Sequence, residues 1–232
     1  MRVIWWAITA IIKSEVRLIP DWAEERRKMV EAQLIGRGIR DARVLAAMRE
    51  IPREDFVPPE ARVTACGDAP IGIGWGQTIS QPYMTALMAE CLELSGSERV
   101  LEVGAGSGYA AAVLGAIARE VIAIEIVPEL AAAASMNLRR TGRARNVRVV
   151  DGDGGWGYPA GAPYDAISVA AGAPDVPFSL LDQLGDPGIL VIPVGPRDDQ
   201  ELRVARKRGG RIEWRVATLC RFVPLRGGEG WR

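Results

Sequence analysis

The run Arg99-Val100-Leu101-Glu102-Val103-Gly104-Ala105-Gly106-Ser107-Gly108-Tyr109 constrains this chain more than any other segment. A short apolar stretch ends in an acid, three glycines alternate, and an alanine-rich stretch suited to a helix begins at Tyr109. Glycine is needed where the backbone turns sharply or where a ligand must approach it closely. A helix starting directly after such a loop presents unpaired N–H groups to that ligand. The spacing therefore predicts a strand, a ligand-binding turn and a helix, the opening unit of an α/β sheet.

The same spacing narrows the ligand. A dinucleotide fingerprint runs G-x-G-x-x-G, and here Tyr109 stands where its third glycine would be. Glu102, two residues before the first glycine, would repel a pyrophosphate but can accept a hydrogen bond from a cationic amino-acid moiety. Val121 to Glu125 reads as a second strand with Glu125 at its C-terminal end, where an acid can accept both ribose hydroxyls. Together these features favour S-adenosylmethionine over NAD. As structure alone the loop would be a tight strand-to-helix turn, which leaves the two placed acids unexplained.

Elements alternate along the rest of the chain. Strands are predicted at 99–103, 121–125, 147–150, 166–169 and 189–192, with helices at 109–118, 128–141 and 177–184. Residues 202–206 and 212–219 alternate around Gly209-Gly210 and predict a hairpin. This order predicts an α/β fold with a doubly wound, mostly parallel sheet and one antiparallel strand. Ahead of it, 21–36 has a helical pattern and Asp41 can cap a second helix through Met48. Residues 51–76 read as an irregular arm, and 82–94 as a helix with a buried face. One domain is expected over 21–225, with an N-terminal extension at 1–20 and a tail at 226–232. Within the domain, 21–95 reads as a helical arm and acceptor segment and 96–225 as the cofactor-binding sheet.

Composition removes several classes of chemistry. The 232 residues include no histidine, which excludes histidine acid–base catalysis and histidine metal sites; no metal is expected. Twenty-nine basic and 29 acidic residues cancel, so no global field draws the chain to nucleic acid or an anionic membrane. Cys66, Cys91 and Cys220 are odd in number and lack C-x-x-C spacing, which argues for a reducing compartment. A cytoplasmic location follows as the expectation. The apolar run Val3 to Ile12 is too short to span a bilayer and has no A-x-A-like cleavage site after it. It is expected to be a loose extension or a misjudged start.

Gly76-Gln77-Thr78-Ile79-Ser80-Gln81-Pro82-Tyr83-Met84 precedes the first strand of the sheet. Thr78 and Ser80 offer two hydroxyls close to a helix N-terminus, where dipole and free N–H groups favour an anion. As structure alone, Ser80 or Gln81 would be an N-cap. The whole segment resembles the protein-L-isoaspartate O-methyltransferase family, whose bacterial members carry a nearly identical G-Q-T-I-S-Q-P-Y stretch. Ile51-Pro52-Arg53-Glu54-Asp55-Phe56-Val57-Pro58, the loop 103–109, Gly152-Asp153-Gly154-Gly155-Trp156-Gly157, Val191-Ile192-Pro193-Val194-Gly195 and Phe222-Val223-Pro224-Leu225 follow in the family's order. The likeness covers about 26–225.

The resemblance implies a Rossmann-like, S-adenosylmethionine-dependent methyltransferase fold with an N-terminal helical arm and a C-terminal antiparallel hairpin. It implies methyl transfer to the α-carboxylate of L-isoaspartyl residues in damaged proteins, which begins their repair, with D-aspartyl residues left open as acceptors. Ser80 would take the position of the active-site serine, with Thr78 beside it. Gly104, Ala105, Gly106, Ser107 and Gly108 would shape the cofactor loop, with Glu102 near the methionine amine. Glu125 would hold the ribose beside Ile126, and Asp153 with Gly154 the adenine edge. Arg226 departs from the pattern, standing where some members have a cofactor-contacting threonine. The partners implied are isoaspartyl proteins and peptides, with a monomer expected. A specialised aspartyl methyltransferase acting on a biosynthetic peptide would use the same site, and is expected to carry further substrate-recruiting sequence. A non-catalytic S-adenosylmethionine-binding module would be expected to lose Thr78 or Ser80, and both are present.

Overall fold

The computed structural model describes residues 20–142 and 144–231. The expectations for the extension and for its apolar run fall on residues outside that range, apart from Pro20. Helix α1 (Trp22–Met29) starts where the Asp21 carboxylate accepts from the Ala23 and Glu24 N–H groups. It continues through a wider turn to Arg37 and stops at Gly38, whose φ of 98° only glycine adopts readily. Asp41 caps α2 (Ala42–Glu50) in the same manner, through Arg43 and Val44. Pro52 then prevents the helix from continuing.

The region 51–76 is more ordered than its Pro and Gly content indicated. It holds two 3-10 turns, Arg53–Asp55 and Pro59–Thr64, and strand β1 (Ile71–Gly74). β1 pairs antiparallel with β2 (Gln77–Ile79) around Trp75 and Gly76, at φ values of 50° and 71°. Two consecutive positive φ angles are the signature of a tight hairpin turn that matches strand twist. Trp75 hid this turn from a composition-based reading, because large residues rarely take that conformation. Helix α3 (Pro82–Cys91) follows directly.

The main sheet begins with β3 (Arg99–Val103), α4 (Tyr109–Gly115), β4 (Glu120–Glu125), α5 (Pro128–Thr141) and β5 (Val147–Asp151). It continues with β6 (Tyr164–Val169), α6 (Phe178–Gln183), β7 (Leu184–Val194), β8 (Gln200–Arg208) and β9 (Arg211–Cys220). The strand order is β5-β4-β3-β6-β7-β8-β9, and only β8 runs against the others. β7 is longer than expected. Its pairing jumps from Leu184 to Ile189 opposite Tyr164 and Ala166, so 185–188 bulge and accommodate Pro187.

Strand residues alternate between two apolar layers. Val100, Val121 and Ala166 pack on one face with α3, α4, α5 and the N-terminal helices. Leu101, Val103, Ile122, Ile124 and Ile167 pack on the other with Leu180 of α6. Burial on both faces explains why these strands read as continuous apolar runs. The chain moves outward from β3 to β5, then returns to place β6 on the other side of β3. That reversal opens a crevice at the C-terminal ends of β3 and β6, the usual ligand position in such sheets.

Residues 226–231, expected above as a tail, fold back onto the sheet. The Trp231 indole donates to Gly172 O at 3.0 Å, and the Ser179 hydroxyl donates to Glu229 at 2.7 Å. Among the described residues no helix is long and apolar enough to cross a membrane.

Candidate active site

The glycine loop leaves β3 in a conformation that its residues impose. Gly104, Gly106 and Gly108 have φ values of 90°, 54° and 87°. The Gly104 and Ala105 N–H groups donate to Ile124 O at 2.9 and 3.1 Å, which ties the loop to β4. Gly108 serves packing as well as turning: a Cβ there would stand 3.3 Å from Ala134 of α5. Ser107 is buried in the same loop and its carbonyl accepts from Asn137 at 3.0 Å.

Glu125 closes the loop from the end of β4. One carboxylate oxygen accepts from Gly106 N–H at 2.8 Å and the other from Val127 N–H at 3.0 Å. Each oxygen keeps a lone pair for a further donor. Gly104, Ala105, Gly106, Ser107, Glu125, Ile126 and Gly154 line one cavity at the crevice, and Thr78 and Ser80 form part of its wall. A Cβ on Gly154 would lie 2.5 Å from Val103, so the close backbone approach there requires glycine.

Three of the expected residues do not line this cavity. Gly108 starts α4. Asp153 is half-buried, and its carboxylate accepts from Gly155 N–H at 2.9 Å and Gly228 N–H at 2.8 Å. Glu102 is 1% exposed on β3, between Ala123 and Ser168 of the flanking strands. Both its oxygens are buried without a hydrogen-bond partner. Burial, helped by the nearby charge of Glu125, pushes its pKa well above the ordinary carboxylate range.

The acceptor segment approaches from the arm. Thr78 lies in β2 and is exposed, and half-buried Ser80 lies between β2 and α3. Neither Ser80 nor Gln81 caps α3: Gln81 occupies the N-cap position without a side-chain bond, and its amide donates to Asp68 O at 3.3 Å. The Ser80 hydroxyl is therefore not spent on the helix. A second groove shares Thr78, Ser80, Ala170 and Val223 with the cavity and runs on past Tyr83 and Leu219. The two hydroxyls stand where the two spaces meet.

Ala170, Ala171 and residues 223–226 also line the cavity; the two alanines went unmarked in the sequence, and 223–226 were marked only through the family resemblance. Ala170 follows β6 at the reversal of strand order, so topology could have located it; Val223, Pro224 and Leu225 carry no chemistry of their own, and only the resemblance pointed to them and to Arg226. Arg226 is exposed in the cavity wall, its guanidinium 3.6 Å from where a Cβ on Gly76 would sit. It thus reaches from the C-terminal segment to the β1–β2 turn.

The residues present fit S-adenosylmethionine. A glycine cradle, an acid at the end of β4 with lone pairs to spare and a buried, unpaired carboxylate suit a nucleoside carrying a cationic amino-acid arm.

Known proteins agree. Residues 24–230 match the family described as protein-L-isoaspartate(D-aspartate) O-methyltransferase. A protein-L-isoaspartate O-methyltransferase from Methanoregula boonei is 51% identical over 209 residues, 90% of this chain and 96% of that protein. A relative from Marinobacter nauticus named protein-L-isoaspartate O-methyltransferase 2 is 54% identical over 213 residues, covering 91% and 97%. A solved protein-L-isoaspartate O-methyltransferase superposes with a TM-score of 0.76 at 30% identity, over 88% of this chain and 66% of that one. A Plasmodium falciparum structure titled as a member of the same family, in complex with S-adenosyl-L-homocysteine, gives 0.73 at 27%, covering 87% and 98%. The fold is that of the S-adenosylmethionine-dependent methyltransferases, and the chain belongs to the protein-L-isoaspartate(D-aspartate) O-methyltransferase family.

Proposed function

We propose that this chain methylates the α-carboxylate of L-isoaspartyl residues in damaged proteins, with Ser80 and Thr78 presenting the acceptor. The carrying observation is that both hydroxyls border the glycine-loop cavity on one side and a separate groove on the other. A cofactor and a protein acceptor can then meet without sharing an entrance. S-adenosylmethionine, when bound, supplies a methyl group on a positively charged sulfur. Glu125 would hold its ribose through the lone pairs that Gly106 and Val127 leave free. Glu102 would face its amine, and Asp153 with Gly154 would border its adenine.

The acceptor needs no general base. A carboxylate has a pKa near ~4 and is already ionised at neutral pH. What the protein must supply is placement at near-attack distance. The Ser80 hydroxyl donating to one carboxylate oxygen would direct the other into the cavity. None of the thiols is a rival base, since desolvation raises Cys91 and pushes Cys66 and Cys220 each up to about 11.

The three unpaired cysteines, which lack C-x-x-C spacing, support a reducing compartment and with it a cytoplasmic enzyme. Methyl transfer to two peptides differing only in isoaspartate versus aspartate tests the function. Labelling of the isoaspartyl peptide alone is expected. Equal labelling would point instead to a methyltransferase of ordinary aspartyl residues.

A further inference from the structure

Arg53 lies in the 3-10 turn after Pro52 and is fully buried, with 0% of its surface exposed. Its guanidinium stands where three parts of the molecule meet. Nε donates to Ala65 O in the arm, and Nη2 donates to Ser80 O in the acceptor segment, both at 2.7 Å. The cation lies 4.8 Å from the ring centroid of Tyr109, which opens α4 and lines the cavity. Nη1 is buried and has no protein acceptor. Among the described residues no carboxylate is ion-paired with Arg53, and adjacent Glu54 is paired with Arg26.

A buried cation without a counter-ion is expensive for the fold. A neutral amide could donate to two carbonyls without that cost, so hydrogen bonding alone does not account for an arginine. Arg53 lines neither the cavity nor the groove, so an anion beside Ser80 would meet its charge across the Ser80–Gln81 peptide and not by direct contact, and the acceptor of the proposed reaction is such an anion. We propose that Arg53 is the positioning residue for the methyl acceptor: it anchors the Ser80–Gln81 peptide and supplies the fixed positive charge that favours a carboxylate beside Ser80. The proposal rests on the function assigned above. Anchoring Ser80 O also sets the Gln81 N–H, because carbonyl and following N–H point opposite ways in a trans peptide. In this dry setting the charge reaches further than a surface charge and is screened little by salt.

The test measures binding of two isoaspartyl peptides by calorimetry with S-adenosylhomocysteine present, one bearing the α-carboxylate and one the α-carboxamide. Wild type is expected to favour the acid by about tenfold or more, as for a hydrogen-bonded charge. That preference should survive from about 0.05 to about 0.5 M salt. Its disappearance at high salt would assign it to surface arginines and overturn the proposal. Arg53→Gln should lose most of the preference at unchanged S-adenosylhomocysteine affinity. Arg53→Lys should keep the preference and cofactor affinity but lower kcat, since one ammonium cannot hold both carbonyls in the same geometry. If Arg53→Gln does not fold, Arg53→Lys and the wild-type salt series carry the test. A variant that retains the preference without the charge, or loses cofactor affinity as steeply as turnover, would make Arg53 a strut of the fold. Wild type that does not methylate the isoaspartyl peptide overturns the functional reading and this proposal together; normal methylation without an acid preference overturns this proposal alone.

Discussion

The Asp153 carboxylate accepts from the Gly228 N–H at 2.8 Å, fastening the turn after β5 to the C-terminal segment. The closeness is enforced by glycine. A Cβ on Gly227, at a φ of 116°, would overlap the same carboxylate. The residue expected at the adenine edge is thus also the clasp that holds one wall of the cavity.

Asp153→Ala should therefore do two things at once. Losing a charged acceptor that serves two backbone donors should weaken S-adenosylmethionine binding by roughly 1–3 kcal/mol. The 226–231 segment should also become more open to proteolysis. Calorimetry and limited proteolysis on the same sample check both, and an intact C-terminal segment with normal affinity would show the clasp to be dispensable.

Ser80→Ala should act on turnover alone. A neutral hydroxyl lost from the acceptor is expected to reduce kcat/KM by about 0.5–1.5 kcal/mol of transition-state stabilisation, more if it meets the charged oxygen directly. Cofactor affinity should stay within experimental error, because the glycine loop and Glu125 are untouched. Steady-state kinetics beside a binding isotherm separates the two quantities.

Glu102 makes stability without cofactor depend on pH with a definite sign. Its folded pKa lies above the unfolded value, so the native state holds the proton more tightly. The stabilisation is complete below the unfolded pKa, near ~4.3, and is lost as pH rises from there through the folded value. Glu98 works in the opposite direction, its pKa lowered to about 2 chiefly by Ser95 and Gly96 donors against the desolvation of its site, so its stabilisation is lost as pH falls. Subtracting the Tm profile of Glu102→Gln from that of wild type isolates the first effect. The difference should show wild type losing ground as pH rises; a flat difference would mean that Glu102 is ionised at no cost.

The reaction itself should be insensitive to pH near neutrality. With an ionised acceptor, no histidine and no accessible thiolate, kcat/KM for a stable peptide should be flat from about pH 6 to 8. It should fall only as the substrate acid protonates. A titration in that window, common to peptides of different carboxyl pKa and abolished by Glu102→Gln, would bring Glu102 into the mechanism.

The β3–loop–α4 unit, Glu125 at the end of β4 and the hydroxyls at 78 and 80 were legible in the sequence by itself. Each is set locally: glycine spacing dictates backbone geometry, an acid at a strand end is placed by the strand, and apolar runs reflect burial on both faces. What the sequence did not determine lies in contacts between distant segments. Trp75, at a positive φ that large residues rarely take, is held in its turn by β1–β2 pairing. Ala170 reaches the cavity only because the strand order reverses beside β3. Residues 223–226 became a wall, and Asp153 and Ser179 hold the segment that follows them in place. Arg53 looks in sequence like one more surface charge, and only packing shows it buried against Ser80 and Tyr109. Local conformation follows from neighbours in the chain; burial, and the charge effects burial creates, follows from residues that only the completed fold brings together.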